Sequence, residues 1–223
     1  MCGIVGYTGK QSVAKQILDA LELLEYRGYD SAGMAIVDET NGQVQIRKRA
    51  GRVADLEKVW KANPVNGICG IGHTRWATHG GVSDVNAHPH RAGRVTLVHN
   101  GIIENYEELK DHFGLADELI SDTDSEVVAA VLNRFYTGDP HEALFQTVKC
   151  LKGTFALVVI FDDILDVIFA IRNVSPIVAA YREDGTMLAS DVAALGGQAT
   201  SYMVVPEYHV VELHTDDIRV YNM

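Results

Sequence analysis

The spacing of apolar residues predicts a series of amphipathic helices along the chain. Between residues 12 and 26, in SVAKQILDALELLEY, apolar side chains recur every three or four positions and form one helix face. Arg27-Gly28 predicts the end of this helix, because a cation suits the last turn and glycine can adopt a positive φ. Further helices are predicted near residues 53–62, 104–113, 124–137 and 140–151.

Strand patterns are concentrated towards the two ends of the chain. Asn41-Gly42 lies between apolar stretches at 32–37 and 43–47 and predicts a hairpin turn. Two nearly continuous apolar runs, Thr154–Phe161 and Ile164–Ile171, predict strands that are covered on both faces. The remaining strands are predicted at 67–74, 94–99, 176–181, 186–190, 202–206 and 208–213, with a long polar loop at 75–93.

This order of elements predicts the class of fold. Strands at both ends with helices between them do not form a regular βαβ alternation, so we expect stacked sheets flanked by helices. The fold class is therefore α+β. No repeat, low-complexity segment or linker interrupts the 223 residues, which predicts a single domain over 1–223.

Composition and charge argue against several classes of partner. The chain carries 30 acidic and 19 basic residues, a net charge of −11, and its one basic cluster is Arg47-Lys48-Arg49. We therefore expect neither nucleic acid nor a membrane surface as a partner. No apolar run reaches the ~18 residues of a membrane span, and no secretory signal is recognisable. Three cysteines without a C-x-x-C motif favour a reducing compartment, so we expect a cytoplasmic location.

Two segments have the composition of a metal site but not its spacing. Five histidines lie between residues 73 and 99, without the H-x-x-x-H or Cys/His pairs that place ligands on one face. The segment Ser121–Glu126, SDTDSE, begins like a calcium loop but has Val127 where the turn glycine belongs. We therefore predict no metal and no cofactor, and we expect most of these histidines to bond loop backbone.

The acidic segment also fits the start of a helix. Thr123 and Glu126 have the spacing of a capping box. Asp124 would then lie at a helix N-terminus, where the helix dipole favours its charged form. A carboxylate held charged there is suited to bind an ammonium group, although capping alone also explains the motif.

Asn100-Gly101 and Arg75 each allow two interpretations. An Asn-Gly pair after a strand signals a turn, but the Asn amide and the Gly N–H also suit an oxyanion hole. Arg75 is able to bind a carboxylate through two parallel hydrogen bonds, which lysine cannot do. Taken singly, neither motif decides between a structural and a functional role.

Cys2 is the clearest candidate for chemistry. Its small side chain is expected to permit the removal of Met1, which would leave a thiol and a free α-amino group on one residue. Their ordinary pKa values, about 8.5 and about 7.7–8.0, allow both groups to exchange protons near neutral pH. Cys2 is therefore a candidate nucleophile that carries its own base.

Seven ordered motifs extend from residue 2 to about residue 195. They are CGIVGY, LEYRGYDSAG, GHTRWATHG, NAHPH, VHNGIIENY, SDTDSE and ASDVAAL. Together they resemble the glutaminase domain of the glucosamine-6-phosphate synthases, also called glutamine–fructose-6-phosphate aminotransferases (isomerising). That family belongs to the class II, N-terminal-nucleophile glutamine amidotransferases.

The resemblance implies a four-layer αββα N-terminal-nucleophile fold, with L-glutamine as substrate and L-glutamate and ammonia as products. Cys2 would attack the side-chain amide to give a glutamyl thioester, and its α-amino group would move the proton. The side chain of Asn100 and the N–H of Gly101 would form the oxyanion hole. Arg75 would bind the α-carboxylate of glutamine, and Asp124 its α-ammonium group.

The resemblance also implies covering and supporting residues. Those expected in the loop that closes over the substrate are Trp76, Thr78 and His79. Those expected to support the site are Arg27 and Gly28, which would hold the nucleophile end, and His88.

Two features depart from the family pattern. At residues 172–177 the chain reads RNVSPI where an R-K-G-S-P-L type of stretch is expected. Val174 in place of glycine is expected to restrict a turn, in a loop without a catalytic role. The resembling enzymes also continue into sugar-phosphate isomerase domains that bind fructose 6-phosphate, and we expect these to be absent from this chain. The full-length enzyme is expected to be a homo-oligomer.

Other interpretations stay open on the sequence alone. The chain fits the ammonia-donating domain of another class II amidotransferase, of the amidophosphoribosyltransferase type, or a stand-alone N-terminal-cysteine amidase. A non-enzymatic glutamine-sensing module with the same fold is a further alternative. The joint presence of a nucleophile, an oxyanion pair and ligands for the head group favours catalysis.

Overall fold

The computed structural model describes residues 2–77 and 80–223, and within them the chain forms five α-helices and two antiparallel sheets. The helices are α1 (Val13–Leu23), α2 (Val53–Ala62), α3 (Tyr106–His112), α4 (Asp124–Phe135) and α5 (Pro140–Cys150). None of these helices has the length and apolar character needed to cross a lipid bilayer.

The described residues contribute thirteen strands, numbered in chain order. They are β1 (Gly3–Gly9), β2 (Ser31–Val37), β3 (Val44–Ala50), β4 (Cys69–Arg75), β5 (His90–Ala92), β6 (Val95–Ile103), β7 (Gly153–Phe161), β8 (Ile164–Asn173), β9 (Val178–Arg182), β10 (Gly185–Ala189), β11 (Ala199–Val204), β12 (His209–His214) and β13 (Asp217–Asn222). The first sheet has the order β11-β9-β10-β1-β4-β2-β3, and the second has the order β13-β12-β8-β7-β6-β5.

Three apolar layers separate these elements. One layer packs α1 and α2 on the outer face of the first sheet, with Ile17 and Leu56 at its centre. The second lies between the two sheets and contains Ile4 and Val158. The third packs α4 and α5 on the outer face of the second sheet, around Phe155. The order helix–sheet–sheet–helix is the predicted four-layer αββα sandwich, so the predicted fold class is confirmed.

Strand β1 occupies the interior of the first sheet, and all seven of its residues are buried. It pairs with β4 on one side, where Gly3 lies opposite Thr74, and with β10 on the other, where Val5 lies opposite Ala189. Because buried backbone groups require hydrogen-bond partners, these two ladders fix the strand along its length. Residue 2, which directly precedes β1, is thereby held beside the end of β4.

The predicted helix α2 and the predicted hairpin are confirmed, whereas two strands were missed. Helix α2 has the predicted bounds, and the hairpin at Asn41-Gly42 joins β2 to β3, with Gly42 at φ 70°. Strand β13 was not predicted, because DIRVYN is a largely exposed edge strand without a continuous apolar run. Strand β5 also lies inside the segment 75–93, which the sequence predicted as a loop.

The predicted end of the first helix is wrong. Helix α1 ends at Leu23, and Glu25–Arg27 forms a separate 3-10 turn. Gly28 has φ −176°, an extended conformation that any residue adopts. Glycine is required there for space instead, because a Cβ would lie 2.7 Å from the backbone carbon of Arg75. Gly28 therefore allows the chain to cross close against the end of β4.

Of the two interpretations of Asn100-Gly101, the structural one does not hold: these residues do not form a turn, because β6 continues through both of them to Ile103. Gly101 has φ 134°, and a Cβ there would lie 2.0 Å from the carbonyl oxygen of Thr154 on β7. Glycine thus permits the ladder between β6 and β7 to continue at this point. As a result, Asn100 is held by a paired strand rather than by a turn.

Val174 carries backbone strain in the loop after β8. Its φ is 65°, in the left-handed region that disfavours β-branched side chains. The conformation is held by its neighbours: the Val174 N–H donates to Glu207 Oε1 at 3.1 Å, and its carbonyl accepts from Arg172 Nη1 at 3.3 Å. The expected effect of the valine on this turn is therefore visible in the backbone.

Four histidines are buried at one end of the sandwich: His73, His88, His90 and His99. Burial lowers the pKa of His73 to about 3 and holds the pKa values of His88 and His90 well below their usual range. Burial also lowers the pKa of His99, against the opposing charge of Asp124. The folded protein therefore keeps these rings neutral, whereas the unfolded chain protonates them near pH 6.5.

We expect Val174→Gly to raise the free energy of unfolding by about 1 kcal/mol, because it relieves the left-handed strain. The matched control is Val204→Gly in β11, which is exposed to a similar degree (58% against 61%) but has no positive φ. That control is expected to lower stability by about 1 kcal/mol. Urea unfolding measures both, and an equal loss in the two variants would contradict the assignment of strain.

The free energy of unfolding should fall as the pH drops below about 6.5, because the histidines bind protons in the unfolded chain but stay neutral when they are buried in the folded protein. Each such histidine contributes a slope of about 1.4 kcal/mol per pH unit. His90→Gln should reduce the slope by about 1.4 kcal/mol per pH unit, the contribution of one histidine. Urea unfolding between about pH 7.5 and pH 5 measures the slope. An unchanged slope in His90→Gln would show that His90 does not contribute.

Candidate active site

Cys2 lies beside the end of β4, with its sulfur against the following peptide. The Trp76 N–H donates to Cys2 Sγ at 3.2 Å. Burial raises the pKa of the Cys2 thiol, whereas the Trp76 N–H and the charges of Arg75 and Arg27 lower it. The sulfur is thus desolvated but faces groups that stabilise a thiolate, the form in which cysteine acts as a nucleophile.

The carbonyl of Cys2 is held by two side chains. Arg27 Nε donates to it at 3.1 Å, and Asn100 Nδ2 donates at 2.9 Å. Arg27 Nη1 also forms an ion pair with Asp191 at 2.9 Å, and the Tyr26 hydroxyl donates to the same carboxylate at 2.8 Å. Arg27 therefore makes the contacts expected of a residue that holds the backbone of Cys2 in place.

The motif ASDVAAL supplies further support for the start of β1. Ser190 Oγ accepts from the Ile4 N–H at 3.0 Å, and the Ser190 N–H donates to the Ile4 carbonyl at 3.0 Å. The pKa of Asp191 is lowered, chiefly by the hydrogen bond from the Ala193 N–H and also by Tyr26 and Arg27, whereas partial burial acts in the opposite direction. The sequence shows the motif but not these roles, because Arg27 and Asp191 are 164 positions apart.

Asn100 connects the two sheets next to Cys2. Its Nδ2 is bonded to the Cys2 carbonyl, and its Oδ1 lies 3.0 Å from Nε2 of His73 on β4. His88 packs edge-on against His73, with ring centroids 4.0 Å apart. Gly101 lines both cavities that contain Cys2. The structure therefore brings the two predicted oxyanion residues against the predicted nucleophile.

Asp124 is the first residue of α4, and its side chain is buried. Asp124 Oδ2 accepts from the Ile103 N–H at 2.9 Å. The Thr123 hydroxyl accepts from the Glu126 N–H at 3.2 Å, as a capping box requires. The Glu126 carboxylate turns instead to the N–H of Ser121 at 2.7 Å, so half of the predicted box is present.

Arg75 is the last residue of β4 and lines the same cavity as Asp124. Its Nη1 donates to the Gly81 carbonyl at 3.1 Å, and its Nη2 donates to the Gly80 carbonyl at 3.2 Å. Two parallel donors engage two oxygens, which is the geometry by which a guanidinium also binds a carboxylate. Arg75 thus ties the loop after β4 to the site.

Trp76 lines both cavities together with Cys2 and is 45% exposed. The ring contacts Tyr29 edge-on, with centroids 5.6 Å apart. The next peptide is anchored by Asp30, whose Oδ2 accepts from the Ala77 N–H at 2.9 Å. The other two predicted covering residues, Thr78 and His79, lie outside the described residues.

Two adjoining cavities meet at Cys2. The first has a volume of about 20 Å³ and is lined by Cys2, Arg75, Trp76, His88, His99, Gly101, Thr123, Asp124 and Ser125. The second has a volume of about 310 Å³ and is lined by Cys2, Arg27, Trp76, Asn100, Gly101, Ile102, Thr154, Ser175 and Pro176. The loop at 173–176, to which the sequence assigned no catalytic role, therefore borders the nucleophile.

The arrangement is suited to covalent chemistry on an amide or ester. A desolvated thiol, a side-chain amide donor and a carboxylate–guanidinium pair line cavities that share one wall. Across residues 2–77 and 80–223, no group of three or more His, Cys, Asp or Glu side chains has the arrangement of a metal site.

Comparison with protein families identifies the chain's relatives. Residues 38–220 match the glutamine amidotransferase domain. The chain is 43% identical over 227 aligned positions to glutamine–fructose-6-phosphate aminotransferase [isomerizing] of Bacillus subtilis, and 45% identical over 226 positions to that of Streptomyces coelicolor. These alignments cover 100% and 99% of this chain but 37% and 36% of the relatives. The chain thus spans little more than a third of their length.

Solved structures show the same fold. Glutamine phosphoribosylpyrophosphate amidotransferase of B. subtilis superposes on 99% of this chain with a TM-score of 0.83, at 21% identity and over 49% of its own length. A structure described as the allosteric regulatory enzyme of purine biosynthesis superposes with a TM-score of 0.85 at 22% identity, again over 99% and 49%. With the family match over residues 38–220, these findings show that the chain belongs to the glutamine amidotransferase domain family.

Proposed function

We propose that this chain hydrolyses the side-chain amide of L-glutamine and releases L-glutamate and ammonia. The observation that carries the proposal is the convergence of Cys2, Asn100, Gly101, Arg75 and Asp124 on two adjoining cavities. Membership of the glutamine amidotransferase domain family supports glutamine as the substrate.

In the proposed reaction, the Cys2 sulfur attacks the amide carbon and a C–S bond forms while the carbonyl π electrons move to oxygen. Asn100 Nδ2 carries two hydrogens: one is donated to the Cys2 carbonyl, and the other serves the oxyanion together with the Gly101 N–H.

The α-amino group of Cys2, freed by removal of Met1, takes the thiol proton and passes it to the amide nitrogen. The oxyanion then re-forms the carbonyl, the C–N bond breaks and ammonia leaves, which gives the glutamyl thioester. Water attacks the thioester carbon, the C–S bond breaks, and glutamate is released while a proton from that water restores the thiol.

The charges around the first cavity suit the head group of an amino acid. Asp124 offers a carboxylate to an ammonium group, and the Arg75 guanidinium offers paired donors to a carboxylate. A substrate amide without a charged head group would form no ion pair with Asp124 or with Arg75. The head-group ligands therefore favour glutamine over the alternative of a general N-terminal-cysteine amidase.

The first cavity has to enlarge when substrate binds. Its volume of about 20 Å³ is close to that of one water molecule. Arg75 is bonded to the carbonyls of Gly80 and Gly81, which belong to the loop on its outer side. We infer that the substrate carboxylate takes the place of these two carbonyl oxygens on Arg75, which couples glutamine binding to a shift of residues 80–81.

We further propose that residues 1–223 are the ammonia-donating domain of a larger enzyme that aminates fructose 6-phosphate, with the sugar-phosphate isomerase domains outside this chain. The names of relatives at 43% and 45% identity support this acceptor. The amidophosphoribosyltransferase alternative has less support, since those structures are 21% and 22% identical. A cytoplasmic location belongs to the same proposal and is consistent with the three free cysteines. The full-length enzyme is proposed to be a homo-oligomer.

Cys2→Ala is expected to abolish the release of glutamate from glutamine, because the attacking sulfur is lost. Cys150→Ala is the matched control, since Cys150 is also a free cysteine but lies on α5. The control should retain full activity. Glutamate and ammonia released by both purified variants are measured, with thermal unfolding as the test of folding. Full activity in Cys2→Ala would contradict the proposed nucleophile.

Asp124→Asn is expected to raise KM for glutamine roughly 10- to 100-fold with little change in kcat, because a charge-assisted bond to the ammonium group is lost. Asparagine keeps an oxygen for the Ile103 N–H, so the helix start should persist. The control is Asp139→Asn at the start of α5, where asparagine caps equally well. Steady-state kinetics decide, and an unchanged KM in Asp124→Asn would remove this residue from the binding site.

A further inference from the structure

The side-chain amide of Asn100 faces two different groups with its two ends. Its Nδ2 lies 2.9 Å from the Cys2 carbonyl, and its Oδ1 lies 3.0 Å from His73 Nε2. An amide turned end over end would place Oδ1 against the Cys2 carbonyl, so that two acceptors would face each other. The orientation is therefore decided by which hydrogens the neighbouring groups carry.

The carbonyl of His99 fixes the hydrogen on His73. The same Nε2 of His73 lies 3.0 Å from this backbone oxygen. A carbonyl oxygen only accepts, so Nε2 must carry the hydrogen and shares it between the two oxygens. A donor at Nε2 then requires Asn100 to present its oxygen, which leaves its Nδ2 directed at Cys2.

The rest of the histidine cluster is consistent with this tautomer. His73 is fully buried, and burial lowers its pKa to about 3, so the ring is neutral near pH 7. His88 Nδ1 lies 3.0 Å from His73 Nδ1 and 3.1 Å from His73 Nε2. With the hydrogen of His73 on Nε2, only its Nδ1 is able to accept, so His88 Nδ1 is the donor to that nitrogen. His88 Nε2, which has no partner among the described residues, is left as a bare acceptor. A buried acceptor without a partner costs less than a buried N–H without one.

We propose that His73 is a positioning residue whose Nε2–H orients the Asn100 amide, so that Nδ2 is presented to Cys2 and to the cavity. The inference rests on the proposed function, because Nδ2 is the proposed donor to the oxyanion. Among the described residues, His73 is not one of those that line the two cavities, so it acts on the site through Asn100. Because the hydrogen of this neutral histidine is fixed on Nε2, His73 permits only one orientation of the Asn100 amide.

The kinetic test removes and then restores the donor. His73→Leu should lower kcat roughly 10²- to 10³-fold, the usual effect of losing an oxyanion donor. KM should change by less than about threefold, because the head-group ligands are untouched. His73→Gln supplies an N–H again and should recover roughly tenfold or more of the lost kcat.

A double-mutant cycle separates positioning from a general structural role. In an Asn100→Ala background, His73→Leu should cause no further loss of kcat, because the group that it positions is already gone. Independent, multiplying losses in the two backgrounds would overturn the proposal. Should His73→Leu fail to fold, His73→Gln and Asn100→Ala form the same cycle, in which Gln should change kcat only while Asn100 is present.

The position of the hydrogen on the His73 ring is measured independently of activity. In the wild-type protein with ¹⁵N-labelled histidine, NMR should show His73 neutral with its hydrogen on Nε2 between about pH 5 and pH 8. A hydrogen on Nδ1, or a charged ring, would overturn the proposal. If the wild-type protein releases no glutamate, the proposed function fails, while the tautomer still decides whether Asn100 is oriented in this way.

Discussion

Strand β1 is paired on both of its sides, and this pairing fixes the position of Cys2 and of the residues around it. A strand whose seven residues are all buried has to satisfy every backbone group with a neighbouring strand, and β4 and β10 provide those partners. The start of β1 therefore has a fixed position in the sandwich. Cys2 inherits that position, and Arg27, Ser190 and Asn100 reinforce it through bonds to residues 2 and 4.

Around this fixed point the protein separates neutral and charged groups. The buried histidines stay neutral because burial disfavours their protonation, so they supply directed hydrogen bonds without adding charge to the core. The charges of Arg75 and Asp124 line the first cavity, where low exposure to water strengthens their effect on a bound ion. A zwitterionic substrate matches this division, with its head group at the charged residues and its amide at Cys2.

Local patterns in the sequence predicted most of the fold, and the failures have physical causes. Periodic apolar residues define α2, and Asn41-Gly42 defines a hairpin, because both depend on neighbours in the chain. A turn was one of two interpretations of Asn100-Gly101, and pairing with β7 overrides that local preference and extends the strand. The ordered motifs predicted Cys2, Asn100, Gly101, Arg75 and Asp124 as site residues; the structure brings them to two adjoining cavities, and their roles stay predictions. The contacts of Asp191 with Arg27 and of His73 with Asn100 were not predicted, because the partners are distant in sequence and close only in the folded sandwich.

The proposed function requires Cys2 to be a nucleophile in a site that accepts glutamine. The most direct measurement is the intact mass of the protein before and after reaction with a diazo-ketone analogue of glutamine, followed by peptide mapping. We expect the mature protein to lack Met1 and to gain a single adduct on Cys2, which excess L-glutamine prevents. Retention of Met1, or a folded protein that gains no adduct on Cys2, would contradict the claim.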